Sequence, residues 1–225
     1  MTYRNDNMNT ELQDKIRCNL EVIKENIKGY APRIVAVTKY YSAEYMVEAW
    51  RVGLRDFGES RVIESVEKIN GLDDEIRLSS NYHFIGHLQR NKAKKATGVF
   101  DLIQSVESEE LLNELSVIAG SKGIIQKILI QVNNSFEETK TGIAPSQLDK
   151  FLDIAQNTAN IEVQGLMTMA PLGADELTLG KLFSEMRKLK EKHSLKELSM
   201  GMSGDYKIAV QEGATIIRIG RALFT

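Results

Sequence analysis

Residues 34–39 read IVAVTK, and they form the first of eight short apolar runs that recur along the 225-residue chain. The other runs are LRDFGES (54–60), YHFIG (82–86), LIQSV (102–106), KILIQVN (127–133), VQGLMTM (163–169), LSMGM (198–202) and TIIRIG (215–220). Segments such as IVAV and ILIQV are apolar at consecutive positions, which is typical of strands covered on both faces. Amphipathic stretches such as YMVEAWRVG and LLNELSVIAG lie between the runs. Strands that alternate with helices predict parallel βαβ units.

Eight strands with seven helical connections favour a closed (β/α)8 TIM barrel over an open doubly wound sheet, the main alternative. Open sheets usually contain fewer strands and place a glycine-rich phosphate loop after the first strand. Here the first strand ends in TKYYS (38–42), which contains no glycine. The predicted fold class is therefore α/β, a (β/α)8 TIM barrel with an extra N-terminal helix over about residues 10–29. That helix is predicted from apolar residues at helical spacing, namely Leu12, Ile16, Leu20, Ile23 and Ile27.

The composition indicates one globular domain spanning residues 1–225. Hydrophobic residues make up 42% and charged residues 27% of the chain, and no low-complexity tract interrupts it. The formal net charge of -2 gives no electrostatic reason to bind nucleic acid or an anionic membrane. No apolar run approaches the roughly 18 residues of a membrane span, and the polar N-terminus lacks the apolar region of a secretory signal. With a single cysteine, Cys18, no internal disulfide can form, so we expect a cytoplasmic protein.

Lys39 is the first candidate functional residue, because function in such barrels lies at the carboxyl ends of the strands. A lysine that closes an apolar strand is costly unless it has a partner or an altered protonation state. A desolvated lysine can attack a carbonyl and form a Schiff base. A lysine that merely extends its ammonium to solvent is also common at strand ends. The position alone leaves both interpretations open.

The tails of the seventh and eighth strands form a second candidate. They read SMGMSGDY (199–206) and IRIGRALF (217–224). Loops after these two strands are the usual phosphate site of such barrels, where backbone N–H groups face the anion. Ordinary strand-to-helix turns are also rich in glycine and serine. The residues concerned are Ser203, Gly204, Gly220 and Arg221.

Arg218 is a third candidate, since a charged residue within an apolar strand is rarely buried without a partner. It either faces outward to a helix carboxylate or points into the barrel at a ligand. His83 and His87 lie four residues apart, but in a strand-and-turn context without a neighbouring cysteine or an HExxH pattern, so no metal site is predicted.

Seven motifs occur in an order that resembles the pyridoxal-phosphate homeostasis proteins, single-domain relatives of the N-terminal barrel of bacterial alanine racemase. The motifs are VAVTK (35–39), LRDFGES (54–60), HFIGHLQRNK (83–92), ETKTGI (138–143), GLMTM (165–169), LSMGMSGD (198–205) and IRIGRALF (217–224). They extend across nearly the whole chain.

The resemblance implies a binding site for pyridoxal 5'-phosphate (PLP). Lys39 matches the lysine that holds this cofactor as a Schiff base, and Arg218 falls where an arginine meets the pyridine nitrogen. Lys140 matches a second family lysine of less certain role. The family binds the phosphate largely through the backbone, at positions matching Ser203, Gly204, Gly220 and Arg221.

Two departures bear on function. The family usually has asparagine in the sequence GEN, whereas this chain has Ser60, so a polar contact to the cofactor there is shorter or bridged by water. Tyr40 and Tyr41 follow Lys39 in place of the racemase-type continuation.

Three functional hypotheses remain, and we favour a protein that carries PLP and delivers it within the cell. Arg218 at the pyridine nitrogen makes the ring a poorer electron sink. Racemisation needs a base on each face of the substrate, and the sequence after the eighth strand offers no second domain to supply one. We therefore expect no efficient catalysis, a monomeric state, and apo PLP enzymes as partners. A weakly active racemase-like PLP enzyme is the second hypothesis, and a Schiff-base aldolase or sugar-phosphate isomerase is the third.

Overall fold

The computed structural model describes residues 3–135 and 141–225, with side chains described from residue 10 onward. Eight parallel strands close into a barrel in the order β1 to β8, and β8 pairs with β1. The predicted (β/α)8 TIM barrel is therefore confirmed, and each strand overlaps the run that predicted it. The strands are β1 (Arg33–Val37), β2 (Asp56–Glu59), β3 (Asn81–Phe84), β4 (Leu102–Val106), β5 (Gln126–Gln131), β6 (Ile161–Met167), β7 (Glu197–Ser199) and β8 (Ile216–Ile219).

Helices connect the strands and surround the barrel. The extra N-terminal helix is confirmed, but it begins at Tyr3 and ends at Asn26, so it extends further toward the N-terminus than predicted. A short helix that was not predicted follows the last strand. The helices are α1 (Tyr3–Asn26), α2 (Ala43–Arg51), α3 (Val62–Asn70), α4 (Asp74–Leu78), α5 (Arg90–Ala96), α6 (Glu109–Ser121), α7 (Leu148–Gln156), α8 (Glu176–Lys192), α9 (Tyr206–Gln211) and α10 (Arg221–Phe224).

The apolar core has two parts. The larger lies between the barrel and its helices, where the inner face of α1 buries Ile16, Leu20 and Ile23. The smaller cluster contains Val35, Leu102, Leu129, Met167 and Ile216, which come from five strands. Alternate residues of a barrel strand point inward, so side chains fill its interior. The carboxyl ends of the strands, where function is expected, therefore lie next to a well-packed interior.

Gly165 shows how tightly β6 and β7 pack. A Cβ at this position would lie 1.8 Å from the backbone oxygen of Glu197, so only glycine fits. Within the described residues, no helix combines the length and apolarity needed to cross a membrane.

Candidate functional site

A cavity of about 530 Å³ lies at the carboxyl ends of β1, β6, β7 and β8. Cavities of a few hundred cubic ångströms accommodate ligands of cofactor size. The folded chain brings six of the seven predicted site residues to this one cavity, although they come from distant parts of the sequence. These six residues are Lys39, Ser203, Gly204, Arg218, Gly220 and Arg221.

Ser60, the seventh predicted residue, is not among the described residues that line the cavity. It follows β2 and packs against Gly86, where a Cβ would lie 2.5 Å from the Ser60 backbone oxygen. Its side chain is half-buried. Lys140, the second family lysine, lies outside the described residues.

Lys39 occupies a turn immediately after β1. The Tyr41 N–H donates to the Thr38 carbonyl oxygen across 2.9 Å and closes this turn. The Lys39 side chain is half-buried, and its Nζ atom lies 5.0 Å from the centroid of the Tyr40 ring. Within the described residues, the Lys39 ammonium makes no hydrogen bond or ion pair. The nitrogen is therefore held near the cavity without a competing carboxylate partner there.

A buried polar cluster lies beneath this turn, centred on Glu59 at the end of β2. The Glu59 carboxylate is 2% exposed and accepts hydrogen bonds from Thr38 Oγ1 at 2.8 Å and Lys68 Nζ at 2.6 Å. Lys68 Nζ also donates to the Thr38 carbonyl oxygen at 2.9 Å. A buried charge is stable only with such partners. The cluster anchors Thr38 and therefore the start of the turn that carries Lys39.

Arg218 is buried, with 3% exposure, and lines the cavity from β8. Its Nη1 atom donates to Ser199 Oγ at 2.7 Å, and Nη2 donates to the Thr168 carbonyl oxygen at 2.8 Å. Burial lowers the pKa of Arg218 to about 10, and the nearby Asp205 partly opposes this. The side chain is therefore charged at neutral pH. The alternative of an outward arginine paired with a helix carboxylate is wrong.

The loops after β7 and β8 meet at the cavity. Gly201 turns the first loop with φ of +92°, and a Cβ there would lie 2.6 Å from the Ala209 Cβ atom. The two loops are joined where the Ala222 N–H donates to Ser203 Oγ at 3.2 Å. Asp205 accepts a hydrogen bond from the Met202 N–H, although burial raises the pKa of this carboxyl above its usual range.

Four backbone N–H groups of these loops donate no hydrogen bond to any described residue. Two of the four residues are half-buried and two are exposed, so their N–H groups are open to a ligand or to solvent. Convergent backbone N–H groups bind anions, and phosphate in particular. The four groups belong to Ser203, Gly204, Gly220 and Arg221.

Sequence reasoning missed the residues that support the two cations, such as Glu59 beneath Lys39 and Ser199 beside Arg218. It also assigned no role to His83, which is buried and hydrogen-bonded to Gln104 and Asp56. For Ser199 and His83 the available signal was the alternation of inward and outward positions along each strand, which places them inside the barrel. Glu59 lies on the outward face of β2, where it bonds Ser65 and Lys68 of α3. Among the described residues there is no group of three or more side chains that could hold a metal ion.

Three comparisons with known proteins identify related families for this chain. Residues 13–225 match the family described as alanine racemase, N-terminal domain. The pyridoxal phosphate homeostasis protein of Aquifex aeolicus is 36% identical over 198 residues, which cover 85% of this chain and 86% of that protein. The structure of PipY from Synechococcus elongatus PCC7942 without PLP has a TM-score of 0.86 and 36% identity, covering 93% of this chain and 100% of PipY.

PipY with PLP bound gives a TM-score of 0.83 and 35% identity, with the same coverage of both chains. The family match over residues 13–225 includes β1 and β8, the strands beside Lys39 and carrying Arg218. The chain therefore belongs to the family of pyridoxal phosphate homeostasis proteins, which share the barrel of the alanine racemase N-terminal domain.

Proposed function

We propose that this protein binds PLP in the cavity through Lys39 and takes part in the homeostasis of that cofactor inside the cell. The observation that carries the proposal is the set of four unpaired backbone N–H groups in the cavity wall, in the loops of Ser203 and Gly220. They suit a phosphate group, and the same wall carries a lysine and a buried arginine. The names of the relatives and the PLP bound to PipY support the same ligand.

The residues of the cavity fit the three chemical parts of PLP. The unpaired N–H groups would hold the phosphate, and the Ser203 hydroxyl lies beside them. Lys39 would hold the aldehyde carbon covalently, because the amine form of lysine is a nucleophile toward carbonyls. Its Nζ atom would bond that carbon, with loss of the aldehyde oxygen as water.

Arg218 would face the pyridine nitrogen of the bound ring. Because a guanidinium only donates hydrogen bonds, it leaves that nitrogen as an acceptor and disfavours its protonation. PLP in such a site supplies an electron sink of reduced strength for carbanion chemistry. Arg218 therefore favours a role in binding PLP over a role in catalysis with it.

The titratable side chains of the cavity also favour a carrier over an enzyme. Burial and the neighbouring Tyr45 raise the pKa of Tyr41, so its phenol stays protonated at neutral pH and is a poor proton acceptor. Asp205 belongs to the loop that carries the unpaired donors and is engaged by the Met202 N–H. A weakly active racemase-like enzyme remains the alternative, since Lys39 could serve as one of its two bases.

The proposal extends to cellular context. Apo PLP enzymes are the expected recipients of the cofactor, and we propose that the protein acts as a monomer in the cytoplasm. Nucleic acid and membranes are not proposed as partners, because the net charge of -2 gives no attraction to either.

Reconstitution with PLP tests the proposed function. The purified protein should become yellow, borohydride should fix the label, and peptide mapping should place the label on Lys39. Modification chiefly at another lysine would overturn this assignment. The loaded protein should then restore activity to an apo PLP enzyme when the two are mixed.

Proton exchange separates the carrier from the racemase-like alternative. The loaded protein is incubated with L-alanine in deuterated water, and the α-proton is followed by NMR. We expect negligible exchange. Exchange on the order of 1 per second or faster, a typical enzymatic rate, would replace the carrier proposal with the racemase-like one.

A further inference from the structure

A continuous series of hydrogen-bonded side chains crosses the barrel interior and ends at Arg218. Arg218 Nη1 lies 2.7 Å from Ser199 Oγ, and Ser199 Oγ lies 2.6 Å from Gln104 Oε1. Gln104 Nε2 lies 2.9 Å from His83 Nδ1, and His83 Nε2 lies 3.0 Å from Asp56 Oδ1. These five side chains, which we call the interior network, come from five strands: β2, β3, β4, β7 and β8.

The direction of every hydrogen bond in the interior network is set by Arg218 at one end, which can only donate, and by the Asp56 carboxylate at the other, which can only accept. A guanidinium can only donate, so Ser199 Oγ accepts from Arg218 and its own proton must go to Gln104 Oε1. The amide nitrogen of Gln104 then donates to His83 Nδ1, which therefore carries no proton. His83 keeps its single proton on Nε2 and donates it to the Asp56 carboxylate.

The opposite orientation of the Gln104 amide would break the network. Its nitrogen would face Ser199 Oγ, which already accepts from Arg218, and the serine proton would lose its acceptor. Its oxygen would face His83 Nδ1 and require a proton there. A ring with one proton would then present the bare Nε2 atom to the Asp56 carboxylate. A ring with two protons would satisfy both neighbours, but the Ser199 hydroxyl proton would still lack an acceptor. Two acceptors in contact are unfavourable in a buried site.

Burial makes this arrangement rigid. Gln104 and Ser199 are 0% exposed and His83 is 1% exposed. A polar group in such surroundings has no water to replace a lost partner. Fixing the flexible side chain of an arginine in advance removes the entropy loss that ligand binding would otherwise incur.

We propose that Gln104 and His83 are positioning residues that hold the Ser199 hydroxyl as an acceptor for Arg218 and so orient its guanidinium toward the bound cofactor. The cofactor part of this inference rests on the proposed function. The tautomer of His83 and the direction of the network do not, because they follow from the protein alone.

Nitrogen NMR of the cofactor-free protein tests the network directly. The chain has three histidines, and the variant His83→Asn identifies the signals of His83. We expect a neutral ring with the proton on Nε2, and the substitution Gln104→Leu should change the Nδ1 signal of His83. A proton on Nδ1, or an unchanged signal in Gln104→Leu, would overturn the network.

The absorption spectrum of the PLP-loaded protein tests the positioning role. Gln104→Leu should shift the visible band and weaken PLP binding by up to about tenfold, because the Ser199 hydroxyl is then free to turn away from Arg218 and weaken a hydrogen bond to a charged group. The matched control is Gln126→Leu. Gln126 is also buried, at 2% exposure, but it bonds the Phe100 carbonyl oxygen and the Gly98 N–H, away from Arg218.

The control separates positioning from loss of stability. Both glutamine variants should lower the melting temperature, but only Gln104→Leu should move the band. If the two variants leave the same spectrum as the wild type, the positioning role is wrong. Should Gln104→Leu fail to fold, Ser199→Ala removes the acceptor of Arg218 Nη1 itself with little change in volume and should shift the band in the same direction. A wild-type protein without any cofactor band would refute the proposed function, and the NMR result alone would then decide on the network.

Discussion

Lys39 and Arg218 are both cations on the wall of one cavity, yet the protein holds them in opposite ways. Arg218 is 3% exposed, and Ser199 and Thr168 each accept a hydrogen bond from it. Lys39 is half-buried, and within the described part of the chain only the Tyr40 ring, 5.0 Å away, interacts with its ammonium. The backbone at Lys39 is anchored, whereas the nitrogen itself is left without a hydrogen bond.

The difference matches the proposed tasks of the two residues. A cation that orients a ring should not move, so its side chain is tied by buried acceptors. A nitrogen that forms a covalent bond must be able to lose its proton and approach a carbonyl, so a strong ion pair would hinder it. Lys68 differs from Lys39 in this respect, because its nitrogen lies 2.6 Å from a carboxylate oxygen of Glu59.

The largest expected effect is on covalent attachment. Lys39→Ala should lose all PLP that borohydride can fix, because the nucleophilic nitrogen is gone. Non-covalent binding should persist at lower affinity, since the four unpaired N–H groups and Arg218 remain. The measurement is mass spectrometry of the reduced protein. Lys207→Ala, which alters an exposed lysine on α9, is the control and should retain full labelling.

The second prediction concerns the stability of the cofactor-free protein after Arg218→Met. The fall in the pKa of Arg218 to about 10 corresponds to roughly 3 kcal/mol against the charged form. Leaving the Thr168 carbonyl oxygen unpaired costs about 1–3 kcal/mol. The two effects oppose each other, so the free energy of unfolding should change by less than about 2 kcal/mol.

Affinity for PLP should fall at the same time, by about tenfold or more, if Arg218 contacts the ring. Urea unfolding and absorption titration measure the two quantities. Arg187→Met, which removes partly exposed ion pairs to Glu191 and Glu212, should change neither by much. A loss of stability above about 4 kcal/mol in Arg218→Met would show that the arginine serves mainly to hold the fold.

A smaller effect is expected for Ser203→Ala. The proposed phosphate site consists mainly of backbone N–H groups, so losing the hydroxyl should weaken PLP binding by about 1–2 kcal/mol. Pyridoxal, which has no phosphate, should bind the wild type far more weakly than PLP does. Ser116→Ala, a surface change whose hydroxyl bonds the Ala159 carbonyl oxygen, is the control. Equal affinities for pyridoxal and PLP would exclude the phosphate site.

The smallest expected effect is a pH dependence of stability through Asp205. Burial raises the pKa of this carboxyl in the folded state. Its favourable contribution is therefore complete below the ordinary pKa of about 4 and is lost as the pH rises through the raised value. Asp205→Asn has no carboxyl group to ionise. The difference between its melting temperature and that of the wild type should therefore become more positive as the pH increases from 4 to 7.

Asp175→Asn provides a control of opposite sign for that measurement. Hydrogen bonds from Thr178 lower the pKa of Asp175 at the start of α8. Its contribution is present above the ordinary pKa and is lost as the pH falls through the lowered value. This variant should therefore fall behind the wild type as the pH increases. Parallel curves for the two variants would contradict the assigned shifts.

The sequence by itself determined the order of the eight strands, the extra helix in front and the strand ends where function lies. Strand-length apolar runs that alternate with amphipathic stretches are a local signal, because burial on both faces acts on each run separately. Lys39, Ser203 and Arg218 could be named for the same reason: each breaks or ends such a run. The alternative orientations of Arg218 could not be separated, since the pattern does not say what lies on either side of a strand.

Only the tertiary structure decided which groups support these residues. The contact of Gln104 with Ser199 joins positions 95 residues apart, and nothing in either local sequence identifies the partner. Ser60 shows the converse, because its motif predicts a site residue while the folded chain packs it against Gly86, outside the described cavity wall. Closure of the barrel sets these distances, because it lets the inward side chains of β4 and β7 meet in the same interior. Hydrogen bonds depend on distance and direction in space, and those are properties of the closed barrel and not of any single strand.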